Sequence, residues 1–309
     1  MLSVKNIIDV SDLSTTDVSL ILENADSFSE VLSRDVKKVP ALRGKTVLNM
    51  FFESSTRTRN SFELAAKRLS ADTVNFSATA SSLKKGESII DTVRTLKSMI
   101  VDLAVIRHSD SGVMNLIAEK IDIPVINAGD GKHQHPTQAL LDLYTIKKSF
   151  ESLEGLKVAI VGDILNSRVA RSNTALFRKM GMDVRLVSAS MLLPENIDFF
   201  GADISSEIDE VIGTADVIYM LRMQLERQSR KYYPSLKEYR RFLGMDIKRF
   251  KSMKKNSILM HPGPVNRGIE ISEHVMNIDG TQASRIKIDE QVRNGLAVRM
   301  SLLYLILAK

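Results

Sequence analysis

The chain has 309 residues, of which 44% are hydrophobic, with a formal net charge of +6 and no cysteine. That length and apolar content suffice for two cored domains, and the missing cysteines exclude disulfides, thiolate nucleophiles and thiolate metal sites. The positive balance favours anionic partners. The opening MLSVKNIIDVSDLS has no basic head before an apolar core, and the longest apolar run, Leu302 to Ala308, is too short to cross a bilayer, so a cytoplasmic protein without a membrane partner is expected.

Thr15 to Ser33 reads as an amphipathic helix with Val18, Ile21, Leu22, Ala25, Phe28 and Leu32 on one side and Ser14-Thr15-Thr16-Asp17 as its capping box. The apolar strand KTVLNMFF then runs into Ser54-Ser55-Thr56-Arg57-Thr58-Arg59. A helix opens there, because Phe62, Ala65, Ala66 and Leu69 fall at i, i+3, i+4 and i+7. Hydroxyls, unpaired backbone N–H groups and guanidinium forks thus meet at one helix start, which suits a phosphate. A Ser/Thr cap with solvated arginines is the plainer reading; alternation of hydroxyl and Arg directly after a buried strand outweighs it. DTVNFS, DLAVIRH and IPVINAG follow as strands, β-branched and bounded by turn residues. Strands alternating with helices predict an α/β protein with a parallel sheet covered on both faces.

After the polar joint KKSFESLEG the pattern restarts with LKVAIVGD, DVRLVSA, ADVIYML and NSILMH. Two doubly wound domains are expected, 1–149 and 150–290, with the last helix, 291–309, as a packing element presenting Val292, Leu296, Met300, Leu303 and Ile306. Met220, Met223 and Met260 read as core filler. The dense basic stretch from Arg222 to Lys255 reads as solvated surface, with a lid over an acidic substrate or a backbone-binding patch as alternatives.

In open parallel sheets, ligands bind beyond the carboxyl ends of strands, and the conspicuous polar residues cluster there. Ser55 to Thr58 follow KTVLNMFF, and Arg107 and His108 follow DLAVI. His135-Pro136-Thr137-Gln138 follow VINAGDG, Asp163 and Arg168 follow LKVAIVG, Arg222 and Gln224 follow DVIYML, and His261-Pro262-Gly263-Pro264 follow NSILM. Spread over both domains, they predict a cleft between two lobes.

The ordered series SSTRTR, SSLKKGES, IRHSDSG, NAGDGKHQHPTQALLDLYTI, GDILNSRVARS, YMLRMQLERQ and MHPGPVNRGIEI resembles the catalytic chains of the aspartate carbamoyltransferase family. The resemblance covers nearly the whole chain. It implies a one-carbon group transferase that joins carbamoyl phosphate to L-aspartate in pyrimidine synthesis, built from a carbamoyl-phosphate domain followed by an aspartate domain, with the C-terminal helix 291–309 packing back on the first, and with no cofactor. By that resemblance Ser55, Thr56, Arg57 and Thr58 hold the phosphate. Thr58, Arg107 and His135 donate to the carbonyl oxygen, and Gln138 with the carbonyls around Gly263 and Pro264 accepts from the carbamoyl NH2. Arg168 and Arg222, assisted by Gln224, hold the aspartate carboxylates. Ser81 and Lys85 reach a neighbouring subunit's site, which implies a homotrimer; whether trimers join a regulatory chain or a dihydroorotase is not encoded in these motifs. Asn166 stands where many relatives carry His, and Gly263 where other relatives carry Leu.

Other chemistries fit less well. The turn after LKVAIVGD is G-D-I-L-N-S-R, without the glycines that bring backbone to a pyrophosphate, and no P-loop occurs. His133 and His135 lie two apart with no carboxylate or third histidine at ligand spacing, so no metal is expected. A sister ornithine-type enzyme is the nearest rival, but those relatives commonly carry H-C-L-P where this chain has H-P-G-P, and they lack the equivalent of Lys85. A basic nucleic-acid binder is the rival of another class; the dispersed charge and the absence of Trp argue against it.

Overall fold

The structure, a computed structural model, describes residues 1–77, 89–224 and 235–308. Ser81 and Lys85 lie outside the described residues, as does the 225–234 part of the basic stretch. The chain divides into two compact units: Met1–Tyr144 with Arg293–Lys309, and Thr145–Val292. Each is built on a parallel sheet flanked by helices.

The first unit opens with α1 (Thr15–Ser33), whose capping box forms: Ser14 Oγ accepts from the Asp17 N–H, and Asp17 accepts from the Ser14 N–H. Asp17 also accepts from the Ser3 N–H at 2.8 Å and the Ser3 hydroxyl at 2.5 Å. Desolvation works against the Asp17 carboxylate, yet these three donors and the Ser14 hydroxyl, 2.6 Å from Oδ2, hold its pKa down to about 2. The expected apolar face is buried from Val18 to Phe28, while Leu32 is half-buried. Strands β1 (Thr46–Phe51), β2 (Asp72–Ser77), β3 (Leu103–His108) and β4 (Val125–Asp130) form a sheet of order β2-β1-β3-β4. Between them run α2 (Thr56–Arg68), α3 (Ile89–Lys97) and α4 (Val113–Lys120), and α5 (Pro136–Lys147) follows β4.

The second unit contains β5 (Lys157–Val161), α6 (Arg168–Lys179), β6 (Asp183–Val187), β7 (Asp203–Ser205), β8 (Val217–Met220), α7 (Leu236–Leu243), α8 (Ile247–Ser252), β9 (Ile258–Met260) and α9 (Glu273–Met276), with strand order β7-β6-β5-β8-β9. The central strands β5 and β8 are buried almost throughout, as a sheet covered on both faces requires. Met220, Met223 and Met260 fill this core. The edge strand β7 carries no apolar run that would announce it.

The last helix, α10 (Ile288–Leu307), buries Met300, Leu303 and Ile306 of the expected packing face, but not all of it. Val292, placed on the packing face, is 60% exposed. Further along, Asn294, Ala297, Val298, Arg299, Ser301 and Leu302 are all buried. The helix is enclosed on several sides rather than along one stripe: Ser301 Oγ donates to the Ile21 carbonyl of α1, Arg299 reaches Ser61 of α2, and the Tyr304 ring lies 5.6 Å from that of Phe28.

Candidate active site

In the first unit the strand order reverses between β1 and β3, at the centre of the sheet. This is the switch point at which doubly wound sheets bind ligands. Phe51 pairs with Arg107 across it, and the Phe52 N–H donates to the Arg107 carbonyl at 2.9 Å. The α2 N-terminus and Arg107 therefore leave adjacent strand ends.

The start of α2 has an unusual cap. Ser55 occupies the cap position with φ −158° and ψ 79°, and its side chain makes no capping hydrogen bond. Thr56 and Arg57 are exposed, Ser55 and Arg59 half-buried, and Thr58 buried. First-turn N–H groups not claimed by a cap, with no acidic residue beside them, suit an incoming phosphate. Behind the helix, Arg299 of α10 donates from Nη1 to Ser61 Oγ at 2.8 Å, and its guanidinium lies 5.2 Å from the Phe62 ring centroid. Burial pulls the Arg299 pKa down to about 10; Asp142 opposes that shift and Arg107 adds to it.

Arg107 is held by two acceptors. Its Nε donates to Glu53 Oε1 at 2.6 Å and its Nη1 to the Ala128 carbonyl at 3.2 Å. His108, next in sequence, turns inward: its Nδ1 accepts from the Asp110 N–H at 2.9 Å. His135 is buried and precedes α5, with its carbonyl accepting from the Gln138 N–H at 3.0 Å. Gln138 donates from Nε2 to Asp142 Oδ1 at 3.0 Å. A carboxylate accepts only, so Asp142 fixes which way the Gln138 amide faces and turns its carbonyl oxygen elsewhere.

His133 meets two carboxylates, one of them, Asp130, only three residues before it. Its Nδ1 lies 3.0 Å from Asp130 Oδ2 and its Nε2 3.3 Å from Asp9 Oδ2. The expectation that no carboxylate accompanies it is corrected: Asp9 comes from the start of the chain, and Asp130 ends β4. The bonds to Asp130 and then Asp9 raise the His133 pKa to about 9, against a smaller opposing effect of burial. Among the described residues, no group of three His, Cys, Asp or Glu is arranged to hold a metal.

In the second unit the strand order reverses between β5 and β8, and the aspartate-side candidates leave those two strands. Gly162 follows β5 at φ +127°, and a Cβ there would lie 2.6 Å from the Tyr239 hydroxyl, so the position requires glycine. Asp163, fully buried, then accepts from the Asn166 N–H at 3.2 Å and from Asn166 Nδ2 at 2.9 Å. Asn166 therefore serves as a turn-forming residue on Asp163. Ser167 caps α6 by accepting from the Ala170 N–H, and the buried Arg168 is the first helical residue. Across the switch point the Gln224 N–H reaches Asp163 Oδ2 at 3.4 Å, and Arg222 Nη1 lies 3.5 Å from Gln224 Oε1.

After β9, His261 Nδ1 accepts from the Gly263 N–H at 2.8 Å. Gly263 has φ +64° and is followed by a cis bond to Pro264. Each unit thus gathers its own candidates: Ser55, Thr56, Arg57, Thr58, Arg107, His135 and Gln138 in the first, and Arg168, Arg222, Gln224, Gly263 and Pro264 in the second. Sequence reasoning missed Glu53, Asp142 and Glu270: Glu53 and Glu270 meet partners that come from other strand ends, and Asp142 meets Gln138 one turn back in α5.

Residues 5–148 match the profile of the aspartate/ornithine carbamoyltransferase carbamoyl-P binding domain, and residues 154–306 that of the Asp/Orn binding domain of the same family. The chain belongs to the aspartate/ornithine carbamoyltransferase family. It is 53% identical to the aspartate carbamoyltransferase catalytic subunit of Syntrophotalea carbinolica, over 98% of this chain and 95% of that one. With the catalytic subunit of Pelotomaculum thermopropionicum it shares 51% identity, over 98% and 96% of the two chains. Among solved structures, the aspartate transcarbamoylase of Trypanosoma cruzi in complex with carbamoyl aspartate and phosphate superimposes with a TM-score of 0.88 at 30% identity, covering 98% of this chain and 95% of that one. The catalytic subunit of the M. jannaschii enzyme gives 0.84 at 33% identity and 98% coverage of both. Membership agrees with the two parallel sheets and with the family resemblance of the motifs.

Proposed function

We propose that this protein transfers the carbamoyl group of carbamoyl phosphate to the amine of L-aspartate, releasing N-carbamoyl-L-aspartate and phosphate, as a step of pyrimidine synthesis. The observation that carries the reading is identity of about half the residues to catalytic subunits of that activity over 98% of the chain. The uncapped, hydroxyl- and Arg-bearing start of α2 gives it a physical basis.

On this reading the first unit binds carbamoyl phosphate and the second binds aspartate. Ser55, Thr56, Arg57 and Thr58 hold the phosphate with hydroxyl, guanidinium and backbone donors. Thr58, Arg107 and His135 face the carbonyl oxygen. The amine adds to that carbon, the negative charge moves to the oxygen, and the tetrahedral intermediate collapses with cleavage of the bond to the phosphate oxygen. The departing phosphate, largely dianionic near neutral pH, takes the proton the amine loses. No covalent enzyme intermediate is needed. A single oxyanion donor is commonly worth about 10²–10³ in rate, and alignment of reactants about 7–11 kcal/mol. Gln138, turned by Asp142, accepts from the carbamoyl NH2 together with carbonyls near Gly263 and Pro264. Arg168 and Arg222, with Gln224, take the two carboxylates of aspartate, which forked cations fit and an ornithine ammonium does not. Ser81 and Lys85 complete the site of a neighbouring copy in a homotrimer.

Steady-state kinetics of two variants test the assignment. Arg57→Ala is expected to raise the KM for carbamoyl phosphate, and Arg222→Ala the KM for aspartate, each about tenfold or more, as loss of a charged hydrogen-bond partner predicts. Effects exchanged between the two substrates, or absent, contradict it.

A further inference from the structure

Glu270 is fully buried and saturated with donors from two different segments. Its Oε1 accepts from the Met223 N–H at 2.8 Å and from Asn266 Nδ2 at 2.6 Å. Its Oε2 accepts from the Asn266 N–H at 2.6 Å and faces His261 Nε2 at 3.3 Å. Met223 lies between Arg222 and Gln224, on the segment leaving β8. His261 and Asn266 bracket Gly263 and Pro264, on the segment leaving β9. One carboxylate therefore ties together the ends of two neighbouring strands, and both ends carry candidate substrate-binding groups.

The histidine extends that hold. Because the Gly263 N–H donates to Nδ1, that nitrogen carries no proton, and the ring proton sits on Nε2, facing Glu270. The His261 N–H in turn donates to Gln291 Oε1 at 3.0 Å. The imidazole thus lies between Glu270 and the Pro262–Gly263 peptide, and its bond to the Gly263 N–H orients that peptide, next to the carbonyls around Gly263 and Pro264.

We propose that Glu270 is a positioning residue that sets, through Met223 and through His261 with Asn266, the placement of both the Arg222–Gln224 carboxylate-binding segment and the Gly263–Pro264 carbonyls. The inference rests on the substrate roles given above. A buried carboxylate of purely structural value would affect stability alone. A positioning carboxylate affects turnover and acceptor binding while leaving phosphate recognition at the start of α2 untouched.

Glu270→Gln keeps the size and one acceptor oxygen but puts an NH2 against donors of one segment. Displacement of a reacting group by about 1 Å costs on the order of 10²-fold in rate. The expected result is kcat lower by about 10- to 100-fold and a higher aspartate KM, with inhibition by inorganic phosphate changed by less than about twofold. Phe250→Leu, a change in the hydrophobic core of the same unit, serves as the stability control and keeps its kcat. Should E270Q be recovered unfolded, Asn266→Ala, which removes one bond to Oε1, is expected to show the same split in weaker form. Kinetic constants of the folded variant equal to those of the parent overturn the proposal, as does an equal loss of kcat in Phe250→Leu. A parent protein that does not carbamoylate aspartate refutes instead the function on which the inference rests.

Discussion

Arg107 leaves the end of β3 with Glu53 2.6 Å from its Nε and the Ala128 carbonyl 3.2 Å from its Nη1, so its guanidinium is oriented before any substrate arrives. Both side chains of the ion pair are mostly enclosed, which strengthens the charge-assisted bond relative to an exposed pair. Preorganisation of this kind is what an oxyanion donor needs. Glu53→Gln keeps the shape and removes the charge. It is expected to lower kcat by about tenfold or more while leaving the KM for carbamoyl phosphate no higher, because the local potential becomes more positive. An unchanged kcat, or a raised KM alone, contradicts the assigned role. Such partners were not legible in the sequence. Glu53 precedes the Ser-Thr-Arg series but marks no motif, and nothing in its neighbours shows that the chain returns at Arg107 to meet it.

At the scale of elements, β4 and the segment before α1 are joined by His133, set between Asp130 and Asp9. The folded-state pKa of His133, about 9, lies above its ordinary value of 6.5. A raised pKa means that the protonated ring stabilises the fold fully below about pH 6.5 and that this contribution fades as pH rises through 9. Both aspartates have lowered pKa values, desolvation being outweighed by their bonds to His133 and neighbouring groups, so they stay ionised across that window. The loss of Tm in His133→Gln relative to the parent is therefore expected to be largest near pH 6 and to shrink beyond pH 9. A loss that stays constant from pH 6 to 10 contradicts the account. Elements with strong local signals were readable: α1 with its capping box, and the buried strands that run into polar ends. Those whose signal is tertiary were not. β7 is short and lies at a sheet edge with Ile204 partly exposed, so no apolar run marks it. α10 buries Arg299 and Ser301, polar residues that find partners in α2 and α1, and a one-stripe helical reading instead placed the exposed Val292 inside.

For the whole molecule, each unit places candidate residues at the ends of the two strands where the sheet order reverses, β1 and β3 in one and β5 and β8 in the other, with His135 and Gln138 following β4 and Gly263 and Pro264 following β9. That placement was legible because buried parallel strands read as apolar runs and the residues after them stood out as hydroxyls, arginines and amides. The supporting carboxylates Glu53 and Glu270 depend on long-range pairing and became visible only in three dimensions, whereas Asp142 and Asp163 pair mainly with residues three or four away, and Asp163 stood out as a polar strand end. The charge of the second unit's candidates also separates the two family chemistries, because Arg168 and Arg222 suit a dicarboxylate. The most direct measurement incubates the purified protein with carbamoyl phosphate and either L-aspartate or L-ornithine and quantifies the carbamoylated amino acid and the released phosphate. Stoichiometric N-carbamoyl-L-aspartate and phosphate with aspartate, and no citrulline with ornithine, is the predicted result; preference for ornithine, or carbamoyl transfer to neither, contradicts it.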